Sequence, residues 1–228
     1  MAEITLKNDE NKIKTILDYY MLTNKLKDLI RTGWKRWGIK KERVESVAEH
    51  IYGTCMLALA IWSETLPEVN ISEVLLMLAL HETEEIVIGD ITRYDDAKKK
   101  KLKEKGQQAV EHIFKDFVAK DVYLNLVKQY NEGITKEAVF AKKCDKLECD
   151  IQARLYSDQG TLCLENADDI KENKAIKELR NKGITDVANF FILVDREHFK
   201  EDDIFLKINK YLENNHLIKQ KSKKINKN

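Results

Sequence analysis

Leu75-Leu-Met-Leu-Ala-Leu-His-Glu-Thr-Glu-Glu-Ile-Val-Ile-Gly-Asp90 begins as an apolar segment and ends in acid. At 3.6 residues per turn, Ile71, Val74, Leu75 and Leu78 form one stripe, which predicts a helix. Continuing that helix places His81, Glu82 and Glu85 on the same stripe. An imidazole and two carboxylates then stand where core leucines are expected. Ionised carboxylates are expensive to bury unless a cation, a hydrogen-bond network or water meets them. A local conflict of this kind marks a functional site.

The flanking sequence repeats the helical pattern. Residues 10–30 read as an amphipathic helix (Ile13, Ile16, Leu17, Tyr20, Met21, Leu26, Leu29, Ile30) with a break near Thr23 and Asn24. Arg31-Thr-Gly-Trp34 and Trp37-Gly38 form an irregular stretch that holds two of the three tryptophans. A second helix is predicted over 42–64, with Val44, Val47, Ile51, Cys55, Ala58 and Trp62 on one face and His50 beside it. Asn70 or Ser72 caps the helix that follows. Residues 95–130 are helical and charge-rich, and Lys98 to Lys101 read as a solvated face. Lys136–Ser157 forms another helix, with Phe140, Cys144, Leu147, Ile151 and Leu155 as its stripe and Asp145 at its edge. Two more helices are predicted over 167–181 and 184–214. No stretch alternates as a strand does, so the fold class is all-α.

Length and charge narrow the function. A chain of 228 residues builds one domain with a substantial core, here 1–215, followed by a basic tail, 216–228. Lysine and arginine (40) nearly balance aspartate and glutamate (39). The net charge of +1 gives no global case for a nucleic-acid or membrane partner. No apolar run approaches the roughly 18 residues of a membrane span, and the first residues carry no signal-peptide core. The four cysteines make no Cys-x-x-Cys pair. Reduced thiols in a cytoplasmic protein are the economical reading. The lysines of the tail read as a solvated segment.

Singly, the polar residues say little. A lone His50 reads as a satisfied near-core histidine, and Asp145 as a helix-edge acid. His112, His198 and His216 have no companions. As a set, His50, His81, Glu82 and Asp145 come from three helices and offer two imidazoles and two carboxylates. That donor set suits one divalent cation and leaves Mn, Co, Mg, Zn, Fe and Ni all open.

Four strings carry a family resemblance: Arg31-Thr-Gly-Trp34, Glu45-Ser-Val-Ala-Glu-His50, His81-Glu-Thr-Glu-Glu85 with Ile88-Gly-Asp90, and Lys142-Lys-Cys-Asp145. In the order His50 … His81-Glu82 … Asp145 the chain resembles the HD-domain superfamily of metal-dependent phosphohydrolases, in particular its 5′-deoxynucleotidase branch. The resemblance covers about residues 10–160. It implies an HD-domain helical bundle carrying additional C-terminal helices at about 167–214. It also implies a metal held by His50, His81, Glu82 and Asp145. Glu85 would activate the attacking water, and Asp90 would serve the leaving 5′-oxygen. Arg31 and Trp34 would line the entry, with Trp37 as the substitute for Trp34, and Lys142 would be a phosphate contact. The substrate would be a nucleoside 5′-monophosphate, and the assembly a homodimer. The departure is Glu82, which stands where the family has Asp. Alternatives that remain are another small phosphate ester or phosphodiester as substrate, and a nucleotide-binding domain without turnover. A di-iron oxygenase would need further histidines beside the doublet, and none is there.

Overall fold

The computed structural model describes residues 9–39, 41–92, 96–167, 172–199 and 203–218. Among them there are helices and turns but no strand. The one backbone bridge pairs Ile30 with Ser46 in antiparallel sense. The Lys-rich segment after 218 and the side chains of Lys98 to Lys101 lie outside the described residues.

The chain forms two compact units. The first comprises residues 1–35 and 43–145, and the second residues 36–42 and 146–228. Helix α1 (Asp9–Asn24) is followed by a 3₁₀ turn, Lys25–Lys27, and by the short α2 (Thr32–Arg36). Then come α3 (Val47–Thr65), α4 (Ile71–Leu80), α5 (Glu85–Ile88), α6 (Asp96–Phe114), α7 (Lys120–Glu132) and α8 (Lys136–Asp158). The start of α8 belongs to the first unit and the remainder to the second.

In the first unit α3 packs on α4, and α4 packs on α7. Their buried faces supply Val47, Ala58 and Ile61, then Val74, Met77 and Leu78, then Leu126 and Val127. The buried face of α3 is Val47, His50, Thr54, Ala58 and Ile61. That face is rotated from the stripe read off the sequence, and it includes His50, which is fully buried. Tyr19, Phe114, Phe117 and Tyr123 make an aromatic cluster with centroid separations of 5.0–6.0 Å.

Helix α3 begins at Val47 rather than at 42. Ser46 is its N-cap: its side chain accepts from Glu49 N–H, and Glu49 reaches back to Ser46 N–H at 2.9 Å. The reciprocal pair satisfies two otherwise unpaired donors and stops the helix there. The long pattern over 95–130 divides after Phe114. Asn70 caps α4 by accepting from Ser72 and Glu73 N–H.

The second unit holds α9 (Lys174–Asn181), α10 (Ala188–Asp195) and α11 (Ile204–Asn214), so the two predicted C-terminal helices are three shorter ones. Trp37 is fully buried there, with its ring 6.1 Å from Phe190 and 5.3 Å from Phe191. Buried Arg154 donates to the Leu212 carbonyl, Asp186 and Asn189.

The cap of α3 also anchors the segment that carries His50. Replacing Ser46 with Ala is expected to lower the unfolding free energy by about 1 kcal/mol. The change should be read as a lower urea midpoint with an unchanged slope. An unmoved midpoint would show that the box is not a stabilising element.

Candidate metal centre

Helix α4 stops at Leu80, where a continuous helix through residue 85 was expected. Residues 81–84 form a turn closed by Thr83 N–H to the Leu80 carbonyl and Glu85 N–H to the Glu82 carbonyl. The His81 ring contributes to the break. Its Nδ1 donates to the Leu78 carbonyl at 2.6 Å, and its Nε2 lies 3.4 Å from His50 Nε2. The turn redirects Glu82 and Glu85 relative to a regular helix.

Four side chains converge at this turn. His50 Nε2 lies 3.1 Å from Asp145 Oδ1 and 3.4 Å from His81 Nε2. Glu82 Oε1 lies 3.4 Å from His81 Nε2 and 3.7 Å from His50 Nε2. His81 Nε2 stands 4.0 Å from Asp145 Oδ1. One donor atom from each of the four residues falls within 4.8 Å of the others. An ion with bonds of about 2.1 Å separates neighbouring donors by about 3 Å and opposite ones by about 4 Å. The donor set therefore fits one divalent cation in both chemistry and spacing. The longer stem of Glu82 does not prevent its oxygen from reaching both imidazoles. His50 is fully buried, and Asp145 is 8% exposed.

Electrostatics agree with the geometry. Burial pushes the Glu82 carboxyl upward, but His81, Arg31 and His50 together outweigh it and hold the group well below the usual carboxylate range. Glu85 behaves in the opposite way. Burial drives it well above the ordinary value, the charges of Glu82 and Asp90 add to this, and Arg31 opposes them. Glu85 Oε2 is buried without a hydrogen-bond partner. Such an acceptor suits a water or a substrate atom at the site.

Arg31 connects these acids. Its Nη1 lies 3.0 Å from Glu82 Oε1 and 3.6 Å from Asp90 Oδ1. Asp90 follows Gly89, whose φ of +77° and ψ of 163° fall in a region only glycine occupies readily. The reversal returns Asp90 to α2, where its carboxylate accepts from Thr32 N–H and its carbonyl accepts from the Thr32 hydroxyl.

Three residues expected at the substrate, Trp34, Trp37 and Lys142, are engaged with protein groups. Trp34 is 3% exposed, and its Nε1–H donates to Glu45 Oε2 at 2.6 Å. Together with Arg31 N–H on the Glu45 carbonyl, this bond joins two of the motif strings. Trp37 is buried in the other unit, so its ring offers no face to a substrate. Lys142 Nζ donates to the Asn131 carbonyl near the end of α7 and lies over the Tyr130 ring. Its ammonium is engaged there.

Tyr130 was missed in the sequence because a buried tyrosine on a helical stripe reads as core. Its hydroxyl donates to Asp145 Oδ2 at 3.2 Å, and its ring lies 5.3 Å from the His81 ring. It holds the Asp145 carboxylate so that Oδ1 faces the imidazoles.

A family model described as HD domain matches residues 23–183. The chain belongs to the HD-domain family. Among curated HD-domain proteins, the 5′-deoxynucleotidase HDDC2 of Danio rerio is 32% identical over 146 residues, covering 63% of this chain and 70% of the relative. The Homo sapiens protein of that name is 28% identical over 148 residues, covering 64% and 70%. Two solved structures show the same fold. A predicted metal-dependent phosphohydrolase from Magnetospirillum magnetotacticum superposes with a TM-score of 0.60 at 21% identity, over 89% of this chain and 92% of that one. A conserved hypothetical protein from Pyrococcus furiosus gives 0.55 at 23%, over 80% and 98%.

Two expectations follow for the HD site. Tyr130→Phe should weaken metal binding by about 10- to 100-fold, the range for losing a group that orients a ligand. Titration of stripped protein with Co²⁺ or Zn²⁺ reads this, and unchanged affinity would assign Tyr130 to the core alone. Glu85→Gln should raise the melting temperature of stripped protein at neutral pH. The sign follows from the raised pKa: between the ordinary glutamate value and the raised one the unfolded chain ionises first, so the natural protein loses stability as pH rises across that window. The gain should vanish below the ordinary glutamate range of about pH 4.3. A gain independent of pH would mean that the charge of Glu85 is not its cause.

Proposed function

We propose that this chain is a metal-dependent phosphohydrolase that removes phosphate from nucleoside 5′-monophosphates, with deoxyribonucleotides preferred. The observation that carries the reading is the meeting of His50, His81, Glu82 and Asp145 beside Arg31 and Glu85, in an HD-domain chain whose relatives are named 5′-deoxynucleotidases. A cation held by those four residues would supply Lewis-acid activation of water and neutralise charge on the phosphate.

The chain's own groups divide the remaining work. Glu85, with its unpartnered buried oxygen, takes the proton from the attacking water as the new oxygen–phosphorus bond forms. Its raised pKa makes it a stronger base than an exposed carboxylate. Arg31 presents its guanidinium to the phosphate oxygens, and Asp90 and Glu82 hold it in place. The bond from phosphorus to the 5′-oxygen breaks, and that oxygen leaves as an alcohol with the proton that Glu85 removed from the water. Because Asp90 already accepts from Thr32 N–H, its arrangement supports orienting Arg31 and the leaving end rather than donating that proton. We place the protein in the cytoplasm as a homodimer. None of its four cysteines is in a disulfide among the described residues, which suits a reducing compartment, and no described helix is long and apolar enough to cross a membrane.

One observation favours a second reading. Glu82 replaces the family's Asp and is ion-paired to Arg31, so the domain would bind a nucleotide without turning it over. The test is a phosphate-release screen of ribo- and deoxyribonucleoside monophosphates on stripped protein reloaded with Mn²⁺, Co²⁺, Mg²⁺ or Zn²⁺. The natural protein should release phosphate from at least one deoxyribonucleotide. Asp145→Ala should abolish both release and bound metal while the protein stays folded. Glu82→Asp should change kcat/KM by no more than about tenfold, or 1.4 kcal/mol. An inert natural protein beside an active Glu82→Asp variant would establish the second reading instead.

A further inference from the structure

Helix α1 is turned the wrong way for an amphipathic helix. None of its residues is buried. Its apolar stripe faces outward: Ile13 is 57% exposed, Ile16 61%, Leu17 54%, Tyr20 62% and Met21 61%. These positions, i, i+3, i+4, i+7 and i+8, form one continuous face. The opposite side holds α1 to its unit through Tyr19, which packs on Phe114 at 5.8 Å and on Phe117 at 5.0 Å. A helix of this kind is ordinarily docked by the apolar side. Here the polar–aromatic side faces the protein, and the apolar side is left exposed, with the Lys27 ammonium 5.8 Å from the Tyr20 ring.

We propose that this face is the contact surface of the homodimer, and that two copies of α1 pack antiparallel across a twofold axis near Leu17. The inference rests on the homodimer put forward above and specifies where it forms. Two observations select a second copy as the occupant. The first is charge. The helix opens with Asp9 and Glu10, Asp9 also pairing with Lys12 at 3.1 Å, and is followed at once by Lys25 and Lys27. Antiparallel pairing about Leu17 brings Asp9 opposite Lys25 of the other copy and Ile13 opposite Met21. Acid meets base at both ends and apolar meets apolar between, so the face is complementary to itself, as an isologous contact requires. Parallel pairing would place like charges together at both ends.

The second observation is area. At about 100 Å² of exposed surface each, the five side chains present on the order of 500 Å², as much as the largest apolar patch of a typical monomer. The charged flanks raise this toward the roughly 800 Å² per partner of a standard interface. The patch is also self-sufficient in length. Sixteen residues of helix span about 24 Å, enough to seat one helix along another.

The experiment is sedimentation equilibrium of the full chain and its variants, with far-UV circular dichroism and metal content as fold controls. The natural protein should be a dimer. Leu17→Glu and Ile16→Glu should each raise the dissociation constant by more than about 30-fold, as expected at the centre of an interface. Met56→Glu, on the exposed face of α3, should leave the dimer intact. Asp9→Lys with Glu10→Lys should weaken association, and so should Lys25→Glu with Lys27→Glu. An equimolar mixture of those two proteins should restore dimers, now mixed. A natural protein that is monomeric at every concentration would overturn the homodimer itself. A dimer that survives both Leu17→Glu and Ile16→Glu, or that Met56→Glu dissociates, would leave the homodimer standing and overturn this surface. Failure of the mixture to recover would overturn the antiparallel arrangement.

Discussion

Two carboxylates and two imidazoles are held at the centre of an apolar helical unit, and that burial is the constraint on which the rest of the first unit depends. Withdrawing ionised groups from water costs several kcal/mol for each ion unless opposite charge meets it. Arg31 meets Glu82 and Asp90, Tyr130 donates to Asp145, and the imidazoles face the carboxylates between them. A divalent cation held by the four donors would add to this compensation, and one donor atom from each already lies within 4.8 Å of the others.

The same constraint explains why the local strings are joined to one another. Arg31 reaches Glu82 because its own N–H is held by the Glu45 carbonyl, and Val47 N–H is held by the Leu29 carbonyl. Trp34 locks the joint from its other side by donating to Glu45. Ser46 then caps α3 and sets the first turn from which His50 projects inward. Gly89 turns the chain after α5 so that Asp90 ties back to Thr32. Each string is thus a support for a charged side chain as well as a carrier of one. A substitution such as Trp34→Ala would act on the position of Arg31 before it acted on any substrate.

Much of this was legible before any coordinates. The all-α class, the break after Asn24 and the cap at Asn70 follow from periodicity and residue chemistry that act over a few residues. His50, His81, Glu82 and Asp145 were identifiable as a set because polar groups on or beside apolar stripes need a shared reason to be there. Contacts from elsewhere in the chain were not legible. The Trp37 ring packs on Phe190 and Phe191, and the Trp34 indole N–H donates to Glu45. Tyr130 was not singled out in the sequence, and only the position of Asp145 reveals the task of its hydroxyl.

Local sequence by itself determined the helices, their caps and the inventory of metal donors, because backbone hydrogen bonding and side-chain type set these over a turn or two. Tertiary packing alone decided which faces turn inward. It rotated α3 to bury His50, ended α4 at Leu80 so that the turn aims Glu82 at the imidazoles, and left the stripe of α1 facing outward. The physical reason is that a helix carries its apolar stripe regardless of what it packs against, whereas the partner for that stripe is fixed by the free energy of the whole assembly of elements.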